Sequence, residues 1–600
     1  MQKAETVLSI LRKESVENKD YVFERLYRNL FNQDFYIRAY SNIYAKEGNM
    51  TPGTDGKTID GFCFQLIEEL IGKLRTESYY PNPVRRTYIP KKSGKLRPLG
   101  IPSFEDKLVQ EIVKELLEAI YEPLFKETSH GYRENKSCHT ALYQIKTKSR
   151  GANWFIEGDI KGFFDNVNQE ILLKLVGKKI KDGRFIELLR RFLRAGYLEF
   201  NKIQSSLSGT PQGGIISPIL ANIYLHELDN YMEGIKKTYE RNEYRKSSNE
   251  YYSLKGLRNY HKRKGHKDRV KEITKQLRQI PTGEPFDQNF IKINYVRYVD
   301  DFVVSVIGSK KLTEEIRGKI KDYLLNELKL ELNMEKTVIT NPLDERIKFL
   351  GYEISKSKNN AQLFKNSLGH KVRGVNGIIN LLVPGEVIRE KIKPFKRGEK
   401  PIHHNGRINL SVAEIISEYN AEIRGLYNYY SMATDVGAKL NKYKYYHYFS
   451  MVKTIAKKEK ISAVKVIAKY GIDVKRKQGT GTRKIVGIKY KTKKSGEKTL
   501  TYFNEPLVRI NKPNVKVKDY LQSRRSQIIE RLTSRTCELC GYKSDSIKDF
   551  IVHHIRNLKN LRKQYKSGND AAPYWFFVMS NMNRKTLVVC KDCHKEIHGF

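Results

Sequence analysis

The chain has 600 residues and a formal net charge of +45, from 112 lysines and arginines against 67 aspartates and glutamates. This length exceeds what one hydrophobic core supports, so we expect about three or four domains. The charge favours a polyanionic partner, and the 38 tyrosines offer aromatic faces that can stack on unpaired bases.

The first predicted elements are helices, over residues 1 to 80, around a loop with the sequence NMTPGTDGKT. The N-terminus has no apolar signal-peptide core, and no run approaches the ~18 apolar residues of a membrane span. We therefore expect an intracellular, cytoplasmic protein without membrane contact.

The segment VRRTYIPKKSGKLRPLGIPS predicts two strands around a basic turn. Lys91 and Arg97 there are suited to clamp a triphosphate, although the segment alone favours an ordinary charged hairpin.

Acidic residues occur where strands are predicted to end. The apolar strand in NWFIEGDIKGFFD leads into Asp159, and YVRYVDDFVVSVIG predicts a hairpin with Asp300 and Asp301 at its tip. A tight turn alone explains an acidic tip, because Asp is common in turns. Three converging carboxylates, however, would hold two magnesium ions about 3.5–4 Å apart, which activate an attacking 3′ hydroxyl and stabilise leaving pyrophosphate. The pattern therefore predicts a nucleotidyl-transfer site.

The segments around the hairpin predict a glycine-rich turn, an insertion and further helices. The turn GTPQGG lets backbone approach a ligand closely and precedes an amphipathic helix. Residues 231–290 form a basic insertion, which is either a solvated face or an RNA contact. NPLDERIKFLGYEIS predicts another hairpin. The apolar stripe of SVAEIISEYNAEIRGLYNYYSMA is more typical of a helical core than of a binding face.

The last 64 residues contain two CxxC pairs separated by 49 residues, at Cys537, Cys540, Cys590 and Cys593. Four thiolates in two such pairs predict a closed tetrahedral zinc site. The residues between the pairs include two adjacent histidines, His553 and His554.

Several blocks of the chain resemble the reverse-transcriptase domain of group II intron-encoded proteins. FIEGDIKGFFD, GTPQGGIISPILANIYL, YVRYVDD and KFLGYE occur in that family's order and spacing, and HGYRENKSCHTAL and RPLGIPSFEDKLVQ match it too. The resemblance covers essentially the whole chain. It implies a multidomain α+β fold, with a right-hand polymerase (fingers and palm), a helical thumb or maturase domain, a basic DNA-binding segment and a small zinc-containing HNH domain of the ββα-metal type. We expect these domains at residues 1–360, 361–470, 471–530 and 531–600.

The resemblance also implies roles for residues of the polymerase. Asp159 and Asp300 would bind the two magnesium ions, with Asp301 beside them. Where the family usually has alanine before the two aspartates this chain has Val299, from which we expect altered fidelity or speed at most. The residues that would bind the nucleotide are Lys91, Arg97, Phe164 and Gln212. Those that would position the primer end are Phe349, Leu350, Gly351 and Tyr352.

The order of His, Asn and His around the cysteine pairs resembles an HNH endonuclease. The resemblance implies that His554 activates water as a base and that His553 binds one divalent ion. Asn583 would fix the loop, with Asn581 as a competitor. The second metal ligand would be His594, with His598 as an alternative. The alternative to a nuclease is a structural zinc finger that only grips DNA.

Together these resemblances imply a multifunctional protein. It would bind its group II intron RNA as a maturase, nick target DNA, and copy the RNA from deoxynucleoside triphosphates by target-primed reverse transcription. One alternative is an RNA-binding splicing factor without an active polymerase, which the intact acidic residues disfavour. Another is a different reverse transcriptase, such as a retron enzyme, which the thumb-like region and the tail disfavour. The sequence leaves open whether a homodimer forms on RNA.

Overall fold

The structure is a computed structural model. It describes every residue except 1, 91–93, 95, 200–201, 205–208, 210–212, 285–286, 360–362, 366–368, 370, 478, 493–495, 516–525, 566–571 and 600.

The first part of the chain alternates helices with short strands. Its elements are α1 (Ala4–Glu17), α2 (Gln33–Ile43), α3 (Phe64–Arg75), β1 (Val84–Pro90), β2 (Leu96–Ile101), α4 (Phe104–Tyr121), α5 (Cys138–Lys148), β3 (Trp154–Gly158), α6 (Phe163–Asn166), α7 (Gln169–Gly177), α8 (Gly183–Arg194), β4 (Tyr197–Glu199), β5 (Lys202–Gln204) and α9 (Ser217–Tyr239).

The middle of the chain contains two exposed helices and most of the hairpins. Its elements are α10 (Asn249–Arg263), α11 (Lys267–Leu277), β6 (Lys292–Tyr298), β7 (Asp301–Ile307), α12 (Lys310–Asn326), β8 (Ile339–Thr340), β9 (Ile347–Phe349), β10 (Tyr352–Lys356), β11 (Leu363–Lys365), β12 (Lys371–Arg373) and β13 (Ile379–Leu382). Helices α10 and α11 lie in the predicted insertion.

The last part is helical and then changes to small sheets. Its elements are α13 (Gly385–Ile392), β14 (Lys396–Arg397), β15 (Lys400–Pro401), α14 (Val412–Tyr430), α15 (Val436–Glu459), α16 (Ala463–Tyr470), β16 (Gly471–Lys475), β17 (Thr482–Thr492), β18 (Gly496–Thr501), α17 (Gln527–Thr533), β19 (Phe550–His554), α18 (Leu558–Gln564), α19 (Tyr574–Met582), β20 (Thr586–Cys590) and α20 (Lys591–His598).

The central sheet has the strand order β6-β7-β3-β8 and carries the predicted acidic residues at one end. Strand β3 is largely buried because it lies between two neighbours, which explains its apolar sequence. A second sheet has the order β2-β1-β4-β5, and a third has the order β13-β10-β9. Since β13 pairs with β10, the expected domain boundary at 360 falls between two strands of one sheet.

The buried apolar residues form two clusters. One cluster joins α1–α4, α7–α9 and α12 to the strands of the tail. The other joins the β13-β10-β9 sheet to α13–α15 and to β17, so the basic segment after residue 470 packs on the preceding helices. The first cluster is the unexpected one, because it includes Phe62 near the N-terminus together with Phe550 and Val552 of the tail. None of the helices among the described residues combines the length and the apolar character that a membrane crossing requires.

Candidate active sites

The pairing of β3 with β7 brings the three predicted catalytic carboxylates to one edge of the central sheet. These strands are antiparallel, with Gly158 opposite Phe302. Asp159 directly follows β3, so it lies beside the start of β7. Strand β7 begins with Asp301, and Asp300 precedes it at the hairpin tip. Gly158 is required here, because a Cβ at this position would lie 2.2 Å from the Phe302 ring.

The carboxylates repel one another in a way that a cation would relieve. Burial and then the charge of Asp159 raise the pKa of Asp300. Burial and the charges of Asp300 and Asp159 raise the pKa of Asp301 to about 6, although Asp301 keeps contact with solvent, which screens part of the repulsion. Oδ2 of Asp159 accepts hydrogen bonds from Lys336 Nζ at 3.0 Å and Asn333 Nδ2 at 2.8 Å. Such an excess of carboxylate charge fits magnesium.

A buried arginine holds the hairpin that carries two of these acids. Arg297 is fully buried, and its Nη2 lies 2.6 Å from Asp229 Oδ2, an equally buried partner. Its Nη1 donates to the carbonyl of Val299 at 3.0 Å. Val299 is in the left-handed region, with a φ of 62°, which is unfavourable for a β-branched residue. The guanidinium therefore fixes a strained turn in place.

The nucleotide-binding residues predicted from the sequence are only partly described. Lys91 and Gln212 lie outside the described residues. Arg97 is exposed and is close enough to the acidic cluster to lower the pKa of Asp300, against the larger effect of burial. Phe164 is half-buried, with its ring centroid 5.3 Å from that of Phe163.

The residues predicted to position the primer form the turn between β9 and β10: Phe349, Leu350, Gly351 and Tyr352. The end of α14 supports this turn. Tyr429 Oη donates to the carbonyl of Leu350 at 2.7 Å, and Tyr430 Oη donates to that of Gly351 at 3.0 Å. These two tyrosines belong to the helix whose stripe was expected to serve packing, and they also fix the turn.

The four tail cysteines form one cluster, in which all four sulfur atoms lie within 4.8 Å of one another: Cys537, Cys540, Cys590 and Cys593. Burial raises the pKa of Cys537, but backbone N–H donors that include those of Cys540 and Cys590 bring it down to about 7. Four cysteine sulfurs that converge in this way fit a zinc ion.

A second cluster gathers the predicted nuclease histidines and one residue that sequence reasoning missed. Each member offers one atom that could bind a metal ion, and these four atoms lie within 4.8 Å of one another: Asp60, His553, His594 and His598. The sequence offered His594 and His598 as alternatives for the second metal ligand. The structure places both of them beside His553. Asp60 comes from the loop before α3 and carries no signal in the sequence, because nothing local marks it as a ligand.

His554, the predicted base, lies on the opposite face of β19 from His553, since successive strand residues alternate. It is 3% exposed, and burial lowers its pKa to about 4, so its imidazole is neutral. Its Nε2 is 2.6 Å from the hydroxyl of Tyr40 in α2.

A basic cleft leads to the predicted base. It has a volume of about 460 Å³ and lies between the tail and residues 44–51. His554 lines it together with five cationic side chains, those of Lys46, Arg531, Arg556, Arg584 and Lys585. Asn583 caps the C-terminus of α19 with a φ of 49°, a conformation that Asn tolerates, whereas the competitor Asn581 is an exposed residue of that helix.

Three protein families match successive parts of the chain. The reverse transcriptase (RNA-dependent DNA polymerase) family matches residues 89–244, the type II intron maturase family matches residues 375–518, and the AI2M/AI1M-like HNH endonuclease family matches residues 537–594.

The chain is also similar to proteins over its full length. It is 39% identical to the group II intron-encoded protein LtrA of Lactococcus lactis subsp. cremoris, over 100% of this chain and 99% of that one. It is 36% identical to an uncharacterized 91 kDa protein in the cob intron of Schizosaccharomyces pombe, over 100% of this chain and 73% of that one. Among solved structures, telomerase from Candida albicans matches 66% of this chain and 62% of that chain at 11% identity, with a TM-score of 0.33, which says nothing further about the fold.

Proposed function

This chain belongs to the family of group II intron-encoded proteins, and from that premise we propose how its residues divide the family's work. The protein is an RNA-directed DNA polymerase, a maturase and an HNH DNA endonuclease. We assign fingers and palm to residues 1–360, thumb and maturase to 361–470, DNA binding to 471–530 and nicking to 531–600.

The observation that carries the polymerase assignment is the register of β3 with β7, which supports a shared site for Asp159, Asp300 and Asp301. Two magnesium ions bound there would activate the primer hydroxyl and neutralise the leaving pyrophosphate. In this proposal Lys91 and Arg97 hold the triphosphate and Gln212 lines the pocket. Phe164 excludes a 2′ hydroxyl, and the turn between β9 and β10 supports the primer end.

In the nuclease, the neutral imidazole of His554 takes the proton from the attacking water. Asn583 holds the loop that precedes β20. His553, His594 and His598 would bind one divalent ion, which would supply Lewis-acid polarisation of the scissile phosphodiester. The basic cleft beside His554 is suited to receive DNA phosphates. The four cysteines, which converge in one cluster, would hold a structural zinc ion, and this ion would fix β20 and α20.

The order of events follows from these separate sites. The maturase and polymerase regions bind the intron RNA and help it fold for splicing. The basic segment after residue 470 binds the target DNA, and the nuclease nicks one strand. The exposed 3′ end then primes synthesis of DNA from deoxynucleoside triphosphates on the intron RNA template. The exposed basic helices α10 and α11 offer a further RNA contact.

The test is a double dissociation between copying and nicking. The assays are primer extension on an RNA template with magnesium, and nicking by the ribonucleoprotein of duplex DNA that contains the joined flanking exons. We expect Asp300→Ala to reduce extension to below about one hundredth while nicking persists, because it removes only a polymerase carboxylate. We expect His554→Ala to reduce nicking about 10²–10⁴-fold, the usual contribution of a general base, while extension persists.

The matched control is Asp322→Ala on the exposed face of α12, which should leave both activities unchanged. Extension that survives Asp300→Ala would mean that the polymerase site lies elsewhere. A wild-type protein that binds RNA but does not extend a primer would favour the splicing-factor alternative. Nicking that survives His554→Ala would remove the base assignment.

A further inference from the structure

The nuclease histidines share their cluster with a carboxylate from the far end of the chain. Asp60 Oδ2 lies 2.8 Å from His598 Nε2. Its Oδ1 lies 3.2 Å from His553 Nδ1 and 3.6 Å from His594 Nε2. One carboxylate thus contacts all three imidazoles, which come from β19 and α20.

The imidazoles lack hydrogen bonds that their burial would otherwise require. His553 is 3% exposed, and apart from the 3.2 Å contact of its Nδ1 with Asp60, its ring nitrogens make no hydrogen bond of good geometry with any described residue. The same holds for His594 Nε2. Buried polar atoms without partners are costly, and a ring nitrogen that faces two other imidazoles and a carboxylate is satisfied by a cation.

Backbone contacts between the residues that follow Asp60 and strand β19 hold Asp60 in this position. The next residue, Gly61, donates its N–H to the carbonyl of Val552 at 3.1 Å, and the Val552 N–H donates to the carbonyl of Phe62 at 2.9 Å. Residues 60–62 therefore extend the β19–β20 sheet at its open edge. The carboxylate itself accepts the backbone N–H of His554 at 2.7 Å.

Aromatic packing seals the same contact. Phe62 is fully buried, and its ring stacks on that of Tyr40 with centroids 3.7 Å apart and planes 4° apart. On the flank, Lys548 of the tail lies 2.8 Å from Glu68 of α3. The basic cleft lies beside this contact, with His554 in its lining.

We propose that Asp60 is a ligand of the nuclease's divalent ion, together with His553, His594 and His598, so that the N-terminal region and the nuclease hold the ion jointly. This inference rests on the proposed nuclease function. A set of three imidazoles and one carboxylate suits ions such as Zn²⁺, Co²⁺, Mn²⁺ or Ni²⁺. The isolated tail would then lack one of its four ligands.

The experiment titrates Co²⁺ into the full-length, zinc-loaded protein, which carries Asp300→Asn to weaken binding at the polymerase site. Visible absorption and calorimetry report the affinity and the ligand set. We expect Asp60→Asn to weaken Co²⁺ binding about tenfold or more and to change the absorption, because a charged ligand is replaced by an amide of the same shape. The matched control is Asp55→Asn, an exposed residue of the same loop, which should bind Co²⁺ like the wild type.

Hydrogen exchange gives a second measurement that does not depend on nicking. We expect Co²⁺ to slow exchange of the Val552 and His554 amides in the wild type, and much less in Asp60→Asn. The inference is overturned if Asp60→Asn binds Co²⁺ with wild-type affinity and absorption. If His594→Ala then still abolishes binding, the nuclease assignment stands and only the role of Asp60 fails. If His594→Ala also leaves binding intact, the nuclease metal site itself is wrong.

Discussion

At the scale of single residues, the polymerase hairpin depends on a side chain that touches no substrate. Arg297 makes five hydrogen bonds, two of them to Asp229 and the others to Asn222, Ser129 and the carbonyl of Val299. Such a fully satisfied buried guanidinium specifies one geometry for the turn, because any shift leaves a donor without a partner.

Asp229→Asn tests this arrangement, because it leaves the Arg297 guanidinium buried without its counter-charge. We expect the free energy of unfolding of the polymerase region to fall by about 3–5 kcal/mol, and primer extension to fall with it. Urea unfolding followed by fluorescence measures the first effect. The control is Asp268→Asn, whose carboxylate on α11 is exposed and which should change stability by less than about 0.5 kcal/mol. A loss below about 1 kcal/mol in Asp229→Asn would contradict the role given to the ion pair.

The sequence pointed to the candidate catalytic acids but not to the residues that support them, for a physical reason. Asp300 and Asp301 stand out locally, because acids are unusual between apolar strands. Asp229 lies in an ordinary amphipathic helix, and its pairing with Arg297 depends on how that helix packs against β6. Asp60 is similar, since only the docked tail gives it a role. Residues whose partners are far away in the chain leave no local pattern.

At the scale of elements, the loop before α5 packs tightly against the acidic hairpin. The Gly131 backbone lies so close to the hairpin that a Cβ there would be 2.4 Å from Val299 Cγ2 and 2.6 Å from Val299 N. The preceding N–H, that of His130, donates to the carbonyl of Arg297 at 2.9 Å. The loop before α5 is therefore a rigid back support for the hairpin.

Gly131→Ala should displace the hairpin tip. We expect a loss of about 1–3 kcal/mol in stability from overpacking, and at least about a tenfold loss in primer extension. Val299→Ala, which restores the family's usual residue, should not rescue it, because the contact with the Val299 backbone nitrogen remains. Gly318→Ala on α12 is the control: its Cβ meets nothing within 4 Å, so a small gain in stability is expected. Normal primer extension by Gly131→Ala would show that the loop before α5 moves to accommodate the methyl group, and so is not a rigid support.

Element prediction worked where the apolar period was local. Helix α14 begins at a capping box formed by Ser411 and Glu414, and its buried stripe follows the helical repeat. The hairpin of β9 and β10 was equally visible. The pairing of β13 with β10 was not, because β13 has only four residues and follows a glycine- and lysine-rich segment without a clear period.

At the scale of the whole molecule, the nuclease is not an independent appendage in this structure. Its strand β19 contributes to the same buried cluster as α2 and α3, and Phe62 packs between them. The sequence predicted separate domains in a row, because a basic segment separates the tail from the helices. Docking of the last domain on the first cannot be predicted from composition, since the contact joins residues as far apart in the chain as Tyr40 and His554, which are separated by 514 positions.

Removal of the nuclease should therefore affect the rest of the protein. In a protein that ends at residue 530, the stacked pair of Phe62 and Tyr40 loses its cover by β19 and its contact with His554, and large aromatic surfaces without a partner favour association. We expect light scattering to detect aggregates of the truncated protein at concentrations at which the full chain is monodisperse. The same truncation with Phe62→Gln should be less prone to associate. A truncated protein that stays monodisperse with Phe62 intact would contradict this expectation.

The packing of the nuclease on the N-terminal region also constrains how the family can evolve. A lineage that loses the nuclease gene segment keeps the edge left by residues 60–62 and the Phe62–Tyr40 stack, unless further substitutions follow. Selection for solubility should then replace Phe62 with a polar residue, while the loss of the ion removes any reason to keep Asp60. Nuclease loss in this family should leave its trace near the N-terminus.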